Sequence, residues 1–149
     1  MSTFALMAGG TGGHLFPALA LAQELRRRDH TVHLITDKRV SQFGDDFPAR
    51  AVHVVPAATP SIRNPVRFAK AGFTILGGIG KAVGILRRIR PDAVVGFGGY
   101  PCFPPFMAAS LLGIPGVLHE QNAVLGRANR ALARFADALA MSFPETRYA

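Results

Sequence analysis

One stretch limits the possible folds more than any other: Met7-Ala8-Gly9-Gly10-Thr11-Gly12-Gly13-His14. The apolar run Thr3-Phe4-Ala5-Leu6-Met7 precedes it and reads as a short buried strand, while residues 15–25 after it read as a helix. Strand, glycine turn and helix N-terminus in that order make a phosphate-binding device. Glycine lets the backbone approach a ligand and adopt positive φ, and the free N–H groups and helix dipole favour negative charge. Two familiar versions are excluded. A P-loop needs Gly-Lys-Ser/Thr, and no lysine follows Gly13. The dinucleotide fingerprint needs glycine or alanine two residues beyond Gly13, where Leu15 stands. A turn that only packs helix on sheet is the plainer alternative, but glycines and a threonine closing on a histidine exceed what packing requires.

The rest of the chain alternates in the same way. Leu15, Ala18, Leu19, Ala22 and Leu25 fall at the spacing of one buried helix face, and Arg26-Arg27-Arg28 closes that helix where the dipole favours cations. Short apolar strands are expected over 31–36, 51–55, 93–96, 116–118 and 138–141, with further helices over 73–90, 106–112 and 126–136. Asp37, between the second strand and Lys38-Arg39, reads as a solvated turn. The segment holding Pro56, Pro60 and Pro65 with Arg63, Arg67 and Lys70 reads as a loop. Residues 93–118 carry no charge and are long enough to span a bilayer, yet glycines and prolines cut them into strand, loop and helix, which marks a buried core. The economical fold is α/β: a doubly wound, mostly parallel, Rossmann-like sheet. Ligands in such folds sit outside the carboxyl ends of strands. The glycine turn, Phe97-Gly98-Gly99-Tyr100 and His119-Glu120-Gln121-Asn122 all fall at such ends.

Those loops offer the amides of Thr11 to His14, two imidazoles (His14 and His119), Glu120, the amides of Gln121 and Asn122, and the Tyr100 hydroxyl. Backbone donors suit a diphosphate, and amides with a carboxylate suit sugar hydroxyls. His14 is the candidate general base or diphosphate contact; the dipole at its helix N-terminus disfavours the charged imidazolium. His14, His119 and Glu120 do not form a recognised metal-ligand spacing, so no metal or cofactor is expected. Nothing marks Cys102 as a nucleophile, and His30, His33 and His53 read as turn or strand residues.

A net charge of +8 is strong for so few charged residues. Nucleic acid, an anionic membrane surface or phosphorylated substrates would each account for it. Basic segments interleaved with aromatics are missing, which argues against nucleic acid. A lone cysteine fits a reducing cytoplasm, and the first residues show no secretory signal. Over 73–90, Ile75, Leu76, Ile79, Val83 and Leu86 share a face able to pack on a sheet, while Lys81, Arg87, Arg88 and Arg90 lie beside it. An ordinary crossover helix and a membrane-facing one are both consistent with that pattern.

Met-Ala-Gly-Gly-Thr-Gly-Gly-His with Phe16-Pro17-Ala18, then Gly96-Phe97-Gly98-Gly99-Tyr100, then Leu118-His119-Glu120-Gln121-Asn122, together resemble the amino-terminal half of the MurG family. These are the bacterial N-acetylglucosaminyltransferases that convert lipid I to lipid II in peptidoglycan synthesis. The resemblance implies one half of a GT-B enzyme, with two Rossmann-like domains and transfer that inverts the donor anomeric centre without a covalent intermediate. It implies UDP-GlcNAc and undecaprenyl-pyrophosphoryl-MurNAc-pentapeptide as substrates, and a peripheral position on the cytoplasmic face of the inner membrane. Thr11, Gly12, Gly13 and His14 match a loop facing the diphosphates, and Asn122 matches a donor contact. Gly98, Gly99 and Tyr100 match the loop that receives the acceptor pyrophosphate, and residues 73–90 match a membrane-associating patch of the family.

Residues 1–149 correspond to the acceptor-side domain, so the donor-binding carboxyl-terminal domain is expected outside this chain. A subunit of a split glycosyltransferase and a stand-alone nucleotide or sugar-diphosphate binding domain are the alternatives. A nicotinamide oxidoreductase is disfavoured by Leu15.

Overall fold

The computed structural model describes residues 1–10, 12–43 and 47–149. The strands β1 (Thr3–Met7), β2 (Thr31–Thr36), β3 (Ala51–Val54), β4 (Ala93–Gly96), β5 (Gly116–Glu120) and β6 (Ala138–Met141) form one parallel sheet in the order β3-β2-β1-β4-β5-β6. The helices are α1 (Gly12–Arg27), α2 (Pro65–Ile89), α3 (Phe103–Leu111) and α4 (Arg127–Leu132). The chain winds from β1 out to β3, returns through α2 to β4, and winds the other way to β6. The sheet is therefore doubly wound, and its switch point lies between β1 and β4, where Ala5 pairs with Val94.

Period-two alternation divides the apolar residues between two cores. Leu6, Val32 and Leu34 face Leu15, Ala18 and Ala22 of α1. Ala5, Met7, Ile35, Val94 and Leu118 face Ala82, Ile85 and Leu86 of α2 and Phe106, Ala108 and Ala109 of α3. Full burial of a leucine or phenylalanine contributes about 1.5–3 kcal/mol. Because both faces are covered, the central strands are continuous apolar runs.

Three expectations about α1 and α2 change. First, α1 begins at Gly12 and not at residue 15, and no positive φ occurs at Gly12 or Gly13; both are already helical. Second, α2 begins at Pro65, eight residues before 73. Asn64 caps it, accepting from the amides of Val66 (3.0 Å) and Arg67 (3.2 Å), with Pro65 in the first turn where its missing N–H costs nothing. Third, the face of α2 on the sheet is rotated from the expected one. Ala71, Gly78, Ala82, Ile85 and Leu86 are buried, and Ile79 and Val83 pack against the core, but Leu76 is 65% exposed. Small residues take the seam because the helix sits close: a Cβ on Gly78 would collide with the Pro56 carbonyl.

Candidate functional site

The first glycine turn leads directly into α1. The opening amides of Gly12, Gly13 and His14 are the orphan donors of a helix N-terminus, and a Cβ on Gly13 would meet nothing within 4 Å. Thr11 lies outside the described residues. Upstream, the Gly10 amide donates to Asp37 Oδ1 at 2.9 Å, and a Cβ on Gly10 would come within 2.6 Å of that oxygen. Asp37 is thus a positioning residue and not a solvated turn; its other oxygen holds Arg39 Nε at 2.5 Å. Sequence reading missed it because its partner is the backbone of a distant turn.

The second turn follows β4, across the switch point. Gly98 (φ 98°) and Gly99 (φ 82°) occupy backbone conformations that side chains rarely adopt. The His14 ring lies against them: a Cβ at Gly98 would stand 3.3 Å from His14 Cε1, and one at Gly99 3.3 Å from His14 Nε2. His14 Nδ1 lies 3.0 Å from the Phe97 carbonyl oxygen, which joins the two turns. Beneath them Cys102 is fully buried, its thiol donating to the carbonyls of Met7 and Gly98, each at 3.0 Å. Burial pushes that thiol up to about 12 despite neighbouring backbone hydrogen bonds, so it is a tie between turns and not a nucleophile.

The third loop is anchored to α1 by a proline. Pro17 has no N–H to give the Gly13 carbonyl four residues earlier, and Gln121 Nε2 donates to that oxygen instead at 3.1 Å. The same nitrogen lies 2.9 Å from His14 Nδ1. Gln121 was named only in passing from sequence, yet it is the link between loops one and three.

His119 and Glu120 belong to β5, which runs to Glu120 and not to residue 118. Glu120 is 2% exposed, which removes it from direct sugar contact. Its Oε1 accepts from the amide and the side chain of Asn122 (3.1 and 3.0 Å), and its Oε2 accepts from the Gly126 amide (2.9 Å) and Asn129 Nδ2 (3.1 Å). Burial opposes ionisation, but these donors outweigh it and hold the carboxyl below the usual range. Glu120 therefore positions Asn122, which is itself exposed. His119 packs against Phe97 (ring centroids 5.4 Å apart), with its Nδ1 buried and unpartnered. Tyr100 is half-buried and lines a cavity of about 190 Å³ with Asp37, Arg39 and Thr59. An adjoining cavity of about 390 Å³ includes Asp37, Lys38 and Lys81. Lys81 thus borders the carboxyl edge of the sheet as well as solvent.

On α2, Phe73 (75%) and Leu76 (65%) are exposed in company with Arg87, Arg88 and Arg90. Ile75 is half-buried and Ile79 packs on the core, so of the apolar residues in the segment matched to a membrane-associating patch these two do not face outward. The helix is long and apolar enough to cross a membrane by length and composition, but its second half packs into the core through Gly78, Ala82, Ile85 and Leu86. No group of three or more potential metal-ligating side chains occurs among the described residues.

Residues 4–141 match the family described as Glycosyltransferase family 28 N-terminal domain. Similar curated proteins include the UDP-N-acetylglucosamine–N-acetylmuramyl-(pentapeptide) pyrophosphoryl-undecaprenol N-acetylglucosamine transferases of Mesorhizobium japonicum (56% identical) and Rhizobium rhizogenes (51%). Each match covers 93% of this chain and 37% of the relative, so the chain spans well under half the length of these proteins. Among solved structures, Acinetobacter baumannii MurG is 36% identical with a TM-score of 0.86, over 98% of this chain and 43% of that one. The Streptomyces sp. SF2575 glycosyltransferase SsfS6, at 17% identity and a TM-score of 0.64 over 91% of this chain and 45% of that one, shares the fold alone.

Proposed function

Since the chain belongs to the glycosyltransferase family 28 N-terminal domains, we propose that it is the acceptor-side half of an inverting N-acetylglucosaminyltransferase that moves GlcNAc from UDP-GlcNAc to lipid I, forming lipid II. Its fold is the Rossmann-like half of a GT-B enzyme. The observation that carries the reading is the His14–Phe97 contact, which puts an imidazole, a helix N-terminus and a second glycine turn at one switch point.

In this reading the amides of Gly12, Gly13 and His14 receive a diphosphate, and Gly98, Gly99 and Tyr100 border the acceptor pyrophosphate. The Phe97 carbonyl can only accept, whereas the Gln121 amide nitrogen 2.9 Å from the same Nδ1 can only donate; the mechanism requires the tautomer in which Nδ1 donates to Phe97 and Gln121 Nε2 serves the Gly13 carbonyl. Nε2, facing Gly99, is then left with a lone pair to take the acceptor hydroxyl proton. The hydroxyl oxygen forms its bond to the anomeric carbon as the bond to the UDP oxygen breaks, with inversion and UDP as leaving group. Asn122, held by Glu120, contacts the donor. The grip on uridine falls to a partner domain of the kind that fills the remaining length of the relatives. Orientation of reactants supplies about 7–11 kcal/mol of a barrier in favourable cases, so both halves are required.

The chain alone is expected to bind UDP-GlcNAc weakly and to form lipid II only when a carboxyl-terminal domain is added in trans. Efficient lipid II formation without it contradicts the assignment of uridine binding to a second domain; no transfer in the reconstituted pair contradicts the acceptor-side assignment itself.

We assign the exposed Phe73 and Leu76, with Arg87 and Arg90, to the cytoplasmic surface of an anionic membrane. Each basic residue near such a surface is worth about 1 kcal/mol. Replacing Leu76 with Gln and Arg87 and Arg90 with Glu should therefore sharply reduce co-sedimentation with anionic vesicles. Unchanged sedimentation would return these residues to a solvated helix face.

A further inference from the structure

A second cationic feature lies at the opposite, amino-terminal edge of the sheet. A cavity of about 390 Å³ is lined there by Thr3, Thr31, His33, Arg50, His53 and Arg88. These come from β1, β2, the residue leading into β3, β3 itself and the last turn of α2. His33 Nδ1 and His53 Nε2 are 3.2 Å apart, with their rings stacked at 5.4 Å. His33 is 8% exposed, whereas both arginines reach solvent. Asp92, the carboxylate that touches this edge, is committed to the Thr3 amide at 2.8 Å. Among the described residues no carboxylate pairs with Arg50 or Arg88.

Two guanidiniums, two imidazoles and two hydroxyls thus line one cavity with no carboxylate among the described residues that line it. We propose that this cavity is an anion site for a tetrahedral phosphate group, from an anionic lipid headgroup or from free phosphate. The paired forks of Arg50 and Arg88 suit its oxygens, and the imidazoles supply further donors when protonated. It is separate from the glycine turns and stands or falls independently of them.

The histidines make the site pH-dependent. Burial, and then Arg50, holds His33 below the ordinary imidazole value; burial, His33, Arg88 and Lys81 do the same for His53. The unfolded chain then binds more protons than the folded one as pH falls. Without an anion, the stability contribution of the pair is full above the ordinary value of 6.5 and declines as pH drops through it. A bound dianion reverses the local potential, raises both values and binds more tightly as they protonate.

The test is a titration of the whole chain with inorganic sulfate at constant ionic strength, followed through the ring Hε1 resonances of His33 and His53. Sulfate keeps its charge across the range, so pH dependence reports the protein. Saturable shifts are expected, with affinity rising about tenfold or more from about pH 8 to about pH 5.5 and both histidine titrations moving upward. Inorganic phosphate should compete. The exposed pair Arg50→Gln and Arg88→Gln together should weaken binding at least about tenfold. Phosphatidylglycerol vesicles distinguish the sources: binding displaced by phosphate and lost in the double variant assigns a lipid headgroup, whereas vesicle binding insensitive to both assigns free phosphate. Shifts that never saturate, or saturable shifts unchanged in the double variant, overturn the site.

Discussion

The two glycine turns look alike in sequence and do opposite things. At the first, Gly13 is helical and a side chain there would project into open space, so its bareness serves whatever approaches the helix N-terminus. At the second, Gly98 and Gly99 have positive φ and are walled by His14, so their bareness serves the protein's own backbone. The first turn is walled at Gly10 by Asp37 and Val40 and open only at its Gly13 end, while the second holds the imidazole that reaches across to it. A glycine-rich motif thus does not tell by itself whether ligand or backbone requires the glycine; the neighbours of the missing Cβ do.

That contrast can be broken by substitution. Gly98→Val should have the largest effect on the fold. Forcing a branched residue to φ 98° costs about 1–3 kcal/mol in backbone strain before its contacts with His14 and Asn129 are counted. At about 2–4 °C per kcal/mol for a chain of this size, the melting temperature should drop by several degrees. An unchanged melting temperature would mean the second turn relaxes freely, and the contrast would fail.

Gly13→Val should leave stability nearly unchanged, since valine is if anything a better helix residue than glycine. Its cost should appear in binding, with UDP or pyrophosphate affinity down about tenfold or more in calorimetry as the side chain fills the space in front of the amides. A folded variant with full affinity would remove the first turn from anion binding.

Much of the fold was legible because its signals are local. β1, β2, β4 and β6 have the expected bounds, as apolar runs between glycine, proline or charged breaks define them. The start of α2 was missed although Asn64-Pro65 spells a cap followed by a first-turn proline, because the prolines nearby weighed toward loop. Its buried face was misjudged because large apolar residues were assumed to seek the sheet, whereas close approach to Pro56 selects Gly78 and Ala82. The end of β5 was missed because His119-Glu120 looks like polar loop; pairing with Ala140 and Met141 of β6 makes a strand of it, and four donors satisfy its buried carboxylate. The contacts of Asp37, Gln121 and the His33–His53 pair share one reason for going unseen: each is made with a partner at least 20 residues away. Local pattern carries no such information.

The central claim is that His14, held by the second turn, is the base at the switch point. The direct measurement is steady-state transfer by the chain paired with a carboxyl-terminal domain, comparing wild type with His14→Ala. General-base catalysis is worth about 10²–10⁴ in rate. The account predicts a kcat loss of that order with little change in KM for UDP-GlcNAc, because the imidazole acts on the acceptor proton and not on donor affinity. A variant that turns over at the wild-type rate, or whose loss lies wholly in KM, would contradict it.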